Sequence, residues 1–185
     1  DAVDVLGYPA SAMNGPGTHI WGVLVYARDR YADRLAVVDG EKRWTYGQLH
    51  ERASSLAAWF LDRGLEPGDR VAIMSLNRAE FLAAYFAASG AGLVLVPVNT
   101  RLVAREVASI LDHSGSRWVL AARENRDVVD EAVSRSEKVE GVLDLEEEVE
   151  GERVPGGFPG GDAPAQIYYT SGTTGRPKGV VLTHG

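Results

Sequence analysis

The stretch of sequence that decides the fold lies near the end of the chain and reads YYTSGTTGRPKGVV over residues 168–181. A bound polyphosphate needs several hydrogen-bond donors converging from one side, close backbone approach and positive charge. The three glycines let backbone N–H groups come close, and the four Ser and Thr residues add hydroxyl donors. Lys178 supplies a compact charge, and each charge-assisted contact contributes about 1.5–3 kcal/mol. The stretch therefore predicts a phosphate-binding loop.

The spacing of this loop excludes a Walker A motif. That motif needs a glycine, four further residues and then Gly-Lys-Ser/Thr. Counted from Gly172, the second required glycine falls on Pro177. The residues therefore argue against a P-loop GTPase or ATPase. On composition alone, a flexible turn between two strands would be an equal alternative.

Upstream of the loop, short apolar strands alternate with amphipathic helices. A capping box at Thr45 and Gln48 predicts a helix that ends at Gly64, and Asn77 with Glu80 predicts the cap of a second helix. Further helices are predicted at residues 102–113 and 128–134, and strands at residues 35–38, 71–74, 93–98, 118–121 and 166–170. Strands that alternate with helices pair in parallel through right-handed crossovers. The predicted fold class is α/β, a layered α/β/α arrangement with a mostly parallel sheet.

Composition narrows the classes of function. The net charge is −7, from 26 acidic and 19 basic residues, which argues against a general nucleic-acid or anionic-membrane binder. The chain has no cysteine, so disulfides, thiolate chemistry and cysteine metal sites are excluded, and a reducing cytoplasm is compatible. The longest apolar run, residues 91–98, is far shorter than the roughly 20 residues that span a bilayer. We therefore expect no transmembrane segment.

The ordered string at residues 168–181 resembles the signature loop of the adenylate-forming superfamily, which includes acyl- and aryl-CoA synthetases and peptide-synthetase adenylation domains. Upstream segments fall in the order and spacing of such enzymes, namely residues 45–49, 64–71, 77–81 and 91–102. The resemblance implies that residues 1–185 are the N-terminal portion of the AMP-binding domain, an incomplete part of the large domain of these enzymes. It includes an acidic, Gly/Pro-rich surface connection at residues 146–163.

The resemblance also implies roles for individual residues. Contacts with ATP are expected from Thr170, Ser171, Gly172, Thr173, Thr174 and Lys178, with Gly175 and Gly179 shaping the loop. Lys178 and Thr173 are the expected catalytic residues, and Thr170 is expected to offer an oxygen to Mg²⁺. The four histidines (His19, His50, His113 and His184) are scattered along the chain and are assigned no role.

The activity implied is that of an AMP-forming acyl-CoA synthetase in the cytoplasm. Such an enzyme uses ATP, Mg²⁺ and CoA to activate a small-molecule carboxylic acid, and it needs no nucleophile of its own. The string VPVNTRL at residues 96–102 and the Gly-Thr-Thr-Gly loop resemble CoA ligases more than adenylation domains. We expect the 185-residue chain to be inactive alone. An adenylation domain of a carrier-protein system and a non-catalytic nucleotide-binding module are the alternatives. The acid substrate and the oligomeric state stay open.

Overall fold

Helices and strands alternate along the chain in a computed structural model, which describes residues 19–152, 161–170 and 178–185. The helices are α1 (Ile20–Tyr31), α2 (Tyr46–Asp62), α3 (Ala79–Gly90), α4 (Ala104–Ser114) and α5 (Arg126–Val133), with a 3₁₀ turn at Arg123–Asn125. The strands are β1 (Leu35–Asp39), β2 (Lys42–Thr45), β3 (Arg70–Met74), β4 (Val94–Val98), β5 (Ser116–Ala121), β6 (Gly141–Asp144), β7 (Pro164–Thr170) and β8 (Lys178–Thr183).

The main sheet has six strands in the order β6-β5-β3-β4-β7-β8. Neighbouring strands pair in parallel from β6 through to β7, and β8 pairs with β7 in the antiparallel direction. Strands β1 and β2 form a separate antiparallel pair. The predicted α/β class with a mostly parallel sheet is therefore confirmed.

Side chains of the central strands enter two hydrophobic cores on opposite faces of the sheet. From β3, Val71 and Ile73 join the core formed with α1, α2 and α3. The alternate residues Ala72 and Met74 join the core formed with α4 and α5. All four are fully buried, as expected for strands covered on both faces. The layers are thus helix, sheet and helix.

Helix α2 begins and ends as the sequence predicts. Thr45 accepts from the backbone N–H of Gln48 at 3.3 Å, and the Gln48 side chain accepts from the Thr45 N–H at 2.9 Å, so the capping box is complete. Gly64, just past the helix, has a φ of 76°, which only glycine adopts at little cost. Among the described helices and strands, four escaped the sequence analysis: α1, β2, β6 and β8.

The predicted cap of α3 is wrong. The N-cap residue is Arg78 rather than Asn77, and its side chain makes no cap hydrogen bond. The cap comes instead from Asp39 at the end of β1, whose Oδ2 accepts from the Ala79 N–H at 3.0 Å. Glu80 is not a capping partner; its side chain is only 6% exposed and pairs with Lys42. The β1–β2 pair therefore holds the start of α3, an arrangement that local spacing does not encode.

The predicted surface connection lacks helix and strand in its described parts, residues 146–152 and 161–163. It is nevertheless fastened to α2. Arg52 donates to the carbonyls of Glu146 and Glu147. A Cβ on Gly151 would lie 2.4 Å from the backbone of α2 at Ala58 and Trp59. The first part of this connection is therefore packed against the helical layer, and not merely solvated.

Among the described residues, no helix combines the length and apolarity needed to cross a membrane.

Candidate functional site

The candidate phosphate loop connects two strands that pair with each other. Strand β7 ends at Thr170 and β8 begins at Lys178, so the connection is residues 171–177. Five of the predicted site residues fall on this connection and lie outside the described residues: Ser171, Gly172, Thr173, Thr174 and Gly175. The structure describes the residues at both ends of the loop, namely Thr170, Lys178 and Gly179.

Thr170 and Lys178 are brought together by the pairing of β7 with β8. They are directly opposite in the register of the two strands, a relation that places Cα atoms about 4.5–5.5 Å apart. Opposite residues of an antiparallel pair project to the same face. Both side chains are exposed. The base of the loop therefore presents one hydroxyl and one ammonium side by side, a combination suited to an anion.

Gly179 has a packing role that the sequence did not reveal. It lies in β8 opposite Tyr169, and its φ is not positive. A Cβ at this position would lie 2.9 Å from Cγ2 of Ile167 and 3.3 Å from Cζ of Tyr169. The space that a side chain would need is therefore already filled by β7. Packing across the strand pair, and not an unusual backbone conformation, accounts for this glycine.

The strand before the loop is tied to α4 by a hydrogen bond that the sequence analysis missed. Tyr169 Oη lies 2.7 Å from Nδ1 of His113, and the two rings meet edge to face with centroids 5.6 Å apart. Burial raises the pKa of the Tyr169 phenol, while a hydrogen bond with the Ser114 side chain acts in the opposite direction. The phenol therefore stays protonated at neutral pH. Nothing in the spacing of His113 pointed to this partner, 56 residues away.

His184 does not belong to the loop, although it follows the motif closely in sequence. Strand β8 runs away from Lys178, so six residues at about 3.3 Å each place His184 roughly 20 Å from the loop. There its ring lies 6.5 Å from that of His19, measured between centroids. Burial lowers the pKa of both imidazoles. His184 therefore lies at the far end of the β7–β8 pair.

A second polar cluster lies where β3, β5 and β6 end. The Arg78 guanidinium bonds both Glu124 and Glu146. Helix α3 follows β3 onto one face and α5 follows β5 onto the other, which is where open α/β sheets commonly bind ligands. Here the arginine already bonds two carboxylates. We therefore interpret the cluster as a set of ion pairs that links the ends of these three strands.

The cluster also contains two carboxyl groups that share a hydrogen bond, those of Asp144 and Glu146. Burial raises the pKa of the Glu146 carboxyl, and its hydrogen bond with Asp144 adds to that rise. The same bond lowers the pKa of Asp144. Of the two carboxyl groups, Glu146 therefore holds a proton more readily than Asp144 does. The acidic run at residues 146–148 was the only signal of this cluster in the sequence.

The described residues at the base of the loop offer donors that suit a phosphate. Lys178 and Thr170 supply charge and a hydroxyl at the base of the loop. In the part of the chain that the structure describes, no group of three or more His, Cys, Asp or Glu side chains could hold a metal ion. Mg²⁺ in nucleotide sites is commonly held through the phosphates with retained waters.

Comparison with known proteins identifies the family. Residues 25–185 match the AMP-binding enzyme family. The long-chain-fatty-acid–CoA ligase FadD13 of Mycobacterium tuberculosis is 39% identical over 150 residues, which cover 77% of this chain and 30% of that protein. The probable non-canonical nonribosomal peptide synthetase CymA of Salinispora arenicola is 31% identical over 175 residues, covering 91% of this chain and 2% of CymA.

Solved structures agree with the sequence match. The inhibitor-bound N-terminal domain of FACL13 from Mycobacterium tuberculosis superposes with a TM-score of 0.82 at 34% identity. That alignment covers 90% of this chain and 44% of the FACL13 domain. The chain thus spans less than half of the solved domain and about a third of the length of FadD13. The match over residues 25–185 leads to one conclusion: the chain belongs to the family of AMP-binding, adenylate-forming enzymes.

Proposed function

We propose that this chain is the ATP-phosphate-binding part of an AMP-forming acyl-CoA synthetase. The observation that carries the proposal is the pairing of Thr170 with Lys178 across the base of a loop whose sequence is SGTTGRP. A hydroxyl, a lysine and a glycine-rich connection together provide the donors, the charge and the close backbone approach that a triphosphate requires. In this proposal residues 1–185 form the N-terminal portion of the AMP-binding domain.

The proposed chemistry needs no nucleophile from the protein. A carboxylate oxygen of the substrate attacks the α-phosphorus of ATP, and the bond to the bridging oxygen of pyrophosphate breaks. The thiol of CoA then attacks the acyl carbon, and AMP leaves. The protein contributes by positioning the phosphates and by stabilising charge. Family membership supports this scheme.

Each residue of the loop has a proposed task. Lys178 and Thr173 stabilise the charge that develops as pyrophosphate departs, and they are the proposed catalytic residues. Thr170 offers its hydroxyl oxygen to Mg²⁺, which when bound neutralises phosphate charge. The remaining contacts to ATP are assigned to Ser171, Gly172, Thr174, Gly175 and Gly179.

The proposed partners are a carboxylic acid, ATP and CoA, and the proposed location is the cytoplasm. The CoA acceptor is favoured by the similarity to FadD13, whose name describes a fatty-acid–CoA ligase. The similarity to CymA supports a second candidate, an adenylation domain that loads a carrier protein. The two candidates share the adenylation step and differ in the thiol that accepts the acyl group.

Carboxylate-dependent exchange of pyrophosphate into ATP tests the proposal. The 185-residue chain and the longer gene product that contains it are assayed in parallel against a panel of fatty, aromatic and short-chain acids. We expect exchange in the longer protein only, with AMP and acyl-CoA accumulating once CoA is added. Exchange without acyl-CoA formation would favour the carrier-protein candidate. No exchange with any acid, in either protein, would leave a non-catalytic nucleotide-binding module.

A further inference from the structure

The β7–β8 pair joins the rest of the sheet along one side, through β4. Strand β7 meets β4 at one register pair, Leu95 with Gln166. Strand β8 lies at the edge of the sheet, and all six of its residues are exposed. Among the described strands, none pairs with the outer side of β8. Side-chain contacts from neighbouring elements therefore help to fix where the loop end of the pair lies.

The Tyr169 side chain provides such a contact. Its phenol oxygen is 2.7 Å from Nδ1 of His113 at the C-terminal end of α4. An imidazole unprotonated at Nδ1 accepts a hydrogen bond from the phenol O–H. One protonated there donates to the phenol oxygen, so both neutral tautomers form the bond. Helix α4 packs firmly against the sheet through Val107 and Leu111, both fully buried. The exposed His113 side chain therefore extends from a fixed helix.

The Tyr169 ring also determines the fit of β8 on β7. Its Cζ and Oη atoms lie 3.3 Å and 3.5 Å from the position of a Cβ on Gly179. The ring therefore covers the backbone of Gly179, its register partner. The next register pair is Thr170 with Lys178. A shift of the ring would move Gly179 and, one residue later, the base of the phosphate loop.

We propose that His113 is a positioning residue for the phosphate loop, acting through Tyr169 to hold β7 and β8 in the arrangement that sets Lys178 opposite Thr170. This inference rests on the proposed phosphate-binding function of the loop. His113 does not touch the nucleotide in this scheme. His113 fixes the Tyr169 phenol, and the Tyr169 ring covers Gly179. The strand pair then holds the Thr170 hydroxyl and the Lys178 ammonium close together.

The test uses the longer gene product that contains the 185-residue chain and two probes, Mg·ATP and inorganic tripolyphosphate, with affinities measured by titration calorimetry. Tyr169→Phe and His113→Ala remove the hydrogen bond, and His113→Gln retains a side chain that can bond the phenol. Tyr168→Phe is the matched control, since Tyr168 projects from the opposite face of β7. Hydrogen exchange at the amides of residues 164–170 and 178–183 reports on the strand pair independently of any ligand.

We expect Tyr169→Phe and His113→Ala to weaken binding of both probes about threefold to tenfold, the loss of one hydrogen bond. Both should speed exchange in β7 and β8. His113→Gln should recover most of the affinity, and Tyr168→Phe should match the wild-type chain. Should His113→Ala fail to fold, Tyr169→Phe and His113→Gln still decide the outcome.

Unchanged affinity and unchanged exchange in Tyr169→Phe and His113→Ala would overturn the positioning role. Faster exchange with unchanged affinity would also overturn it, because the tie would then be structural only. A wild-type chain that binds neither probe would refute the proposed phosphate-binding function, and with it the role of His113 in that function. The exchange data would then show separately whether the hydrogen bond holds the strand pair.

Discussion

Replacement of Lys178 by alanine should separate nucleotide binding from folding. Lys178 is exposed at the first position of β8. An exposed side chain of this kind contributes within about 0.5 kcal/mol to the free energy of unfolding. Loss of a charge-assisted contact with phosphate costs about 1.5–3 kcal/mol, equivalent to a roughly 10- to 150-fold weaker affinity for Mg·ATP. The expected variant is therefore folded as well as the wild-type chain and binds nucleotide poorly.

Calorimetric titration with Mg·ATP and urea unfolding followed by circular dichroism measure the two quantities on the same samples. Lys138→Ala is the matched control, because Lys138 is an exposed lysine whose contact is with the carbonyl of Asp112. Lys178→Arg keeps the charge and should retain most of the affinity. The reasoning is refuted by a Lys178→Ala chain that is unfolded, or that binds Mg·ATP as tightly as the Lys138→Ala chain does.

Three further predictions concern the framework around the site. Asp39→Ala should lower the free energy of unfolding by about 1 kcal/mol by removing the cap on the Ala79 N–H, and Asp39→Asn, which keeps an acceptor, should restore it in urea titrations. Gly151→Ala should lower the thermal midpoint by several degrees, since its Cβ would lie 2.4 Å from backbone atoms of α2; an unchanged midpoint would contradict that packing. Burial lowers the pKa of His50 and His184 from 6.5, so the unfolded chain binds more protons and stability should fall as pH drops below about 6.5. The double variant His50→Gln/His184→Gln should show a flatter dependence between pH 7.5 and 5.5, and an equally steep one would refute this assignment.

The position of a helix or strand was predictable where the residues that determine it lie within a few positions of one another. The capping box at Thr45 and Gln48, the stop at Gly64 and the buried strand β3 follow from short-range spacing, and the structure confirms each. The start of α3 was not predictable, because its cap is supplied by Asp39, about 40 residues earlier. Because local spacing cannot reveal a partner so far away in the chain, the sequence pointed to Asn77 instead.

The same limit applies to the candidate site: some of its features follow from the local sequence, and others depend on contacts between distant residues. The loop motif names the donors and the charge that a phosphate needs, and the roles of Ser171, Gly172, Thr173, Thr174 and Gly175 stay predictions, since those residues lie outside the described residues. The tie between His113 and Tyr169 is invisible in the sequence, because it joins a helix end to a strand 56 residues later. Proximity across that distance depends on how the layers pack.

The sequence by itself determined the α/β class, the family and the chemical character of the loop, because periodicity and motif spacing are properties of neighbouring residues. Only the tertiary structure decided that Thr170 stands opposite Lys178, that the Tyr169 ring occupies the place of a side chain at Gly179, and that β8 carries His184 away from the loop. Strand register and the contacts between layers produce these relations. They arise from the burial of apolar side chains throughout the sheet, which no single stretch of sequence specifies.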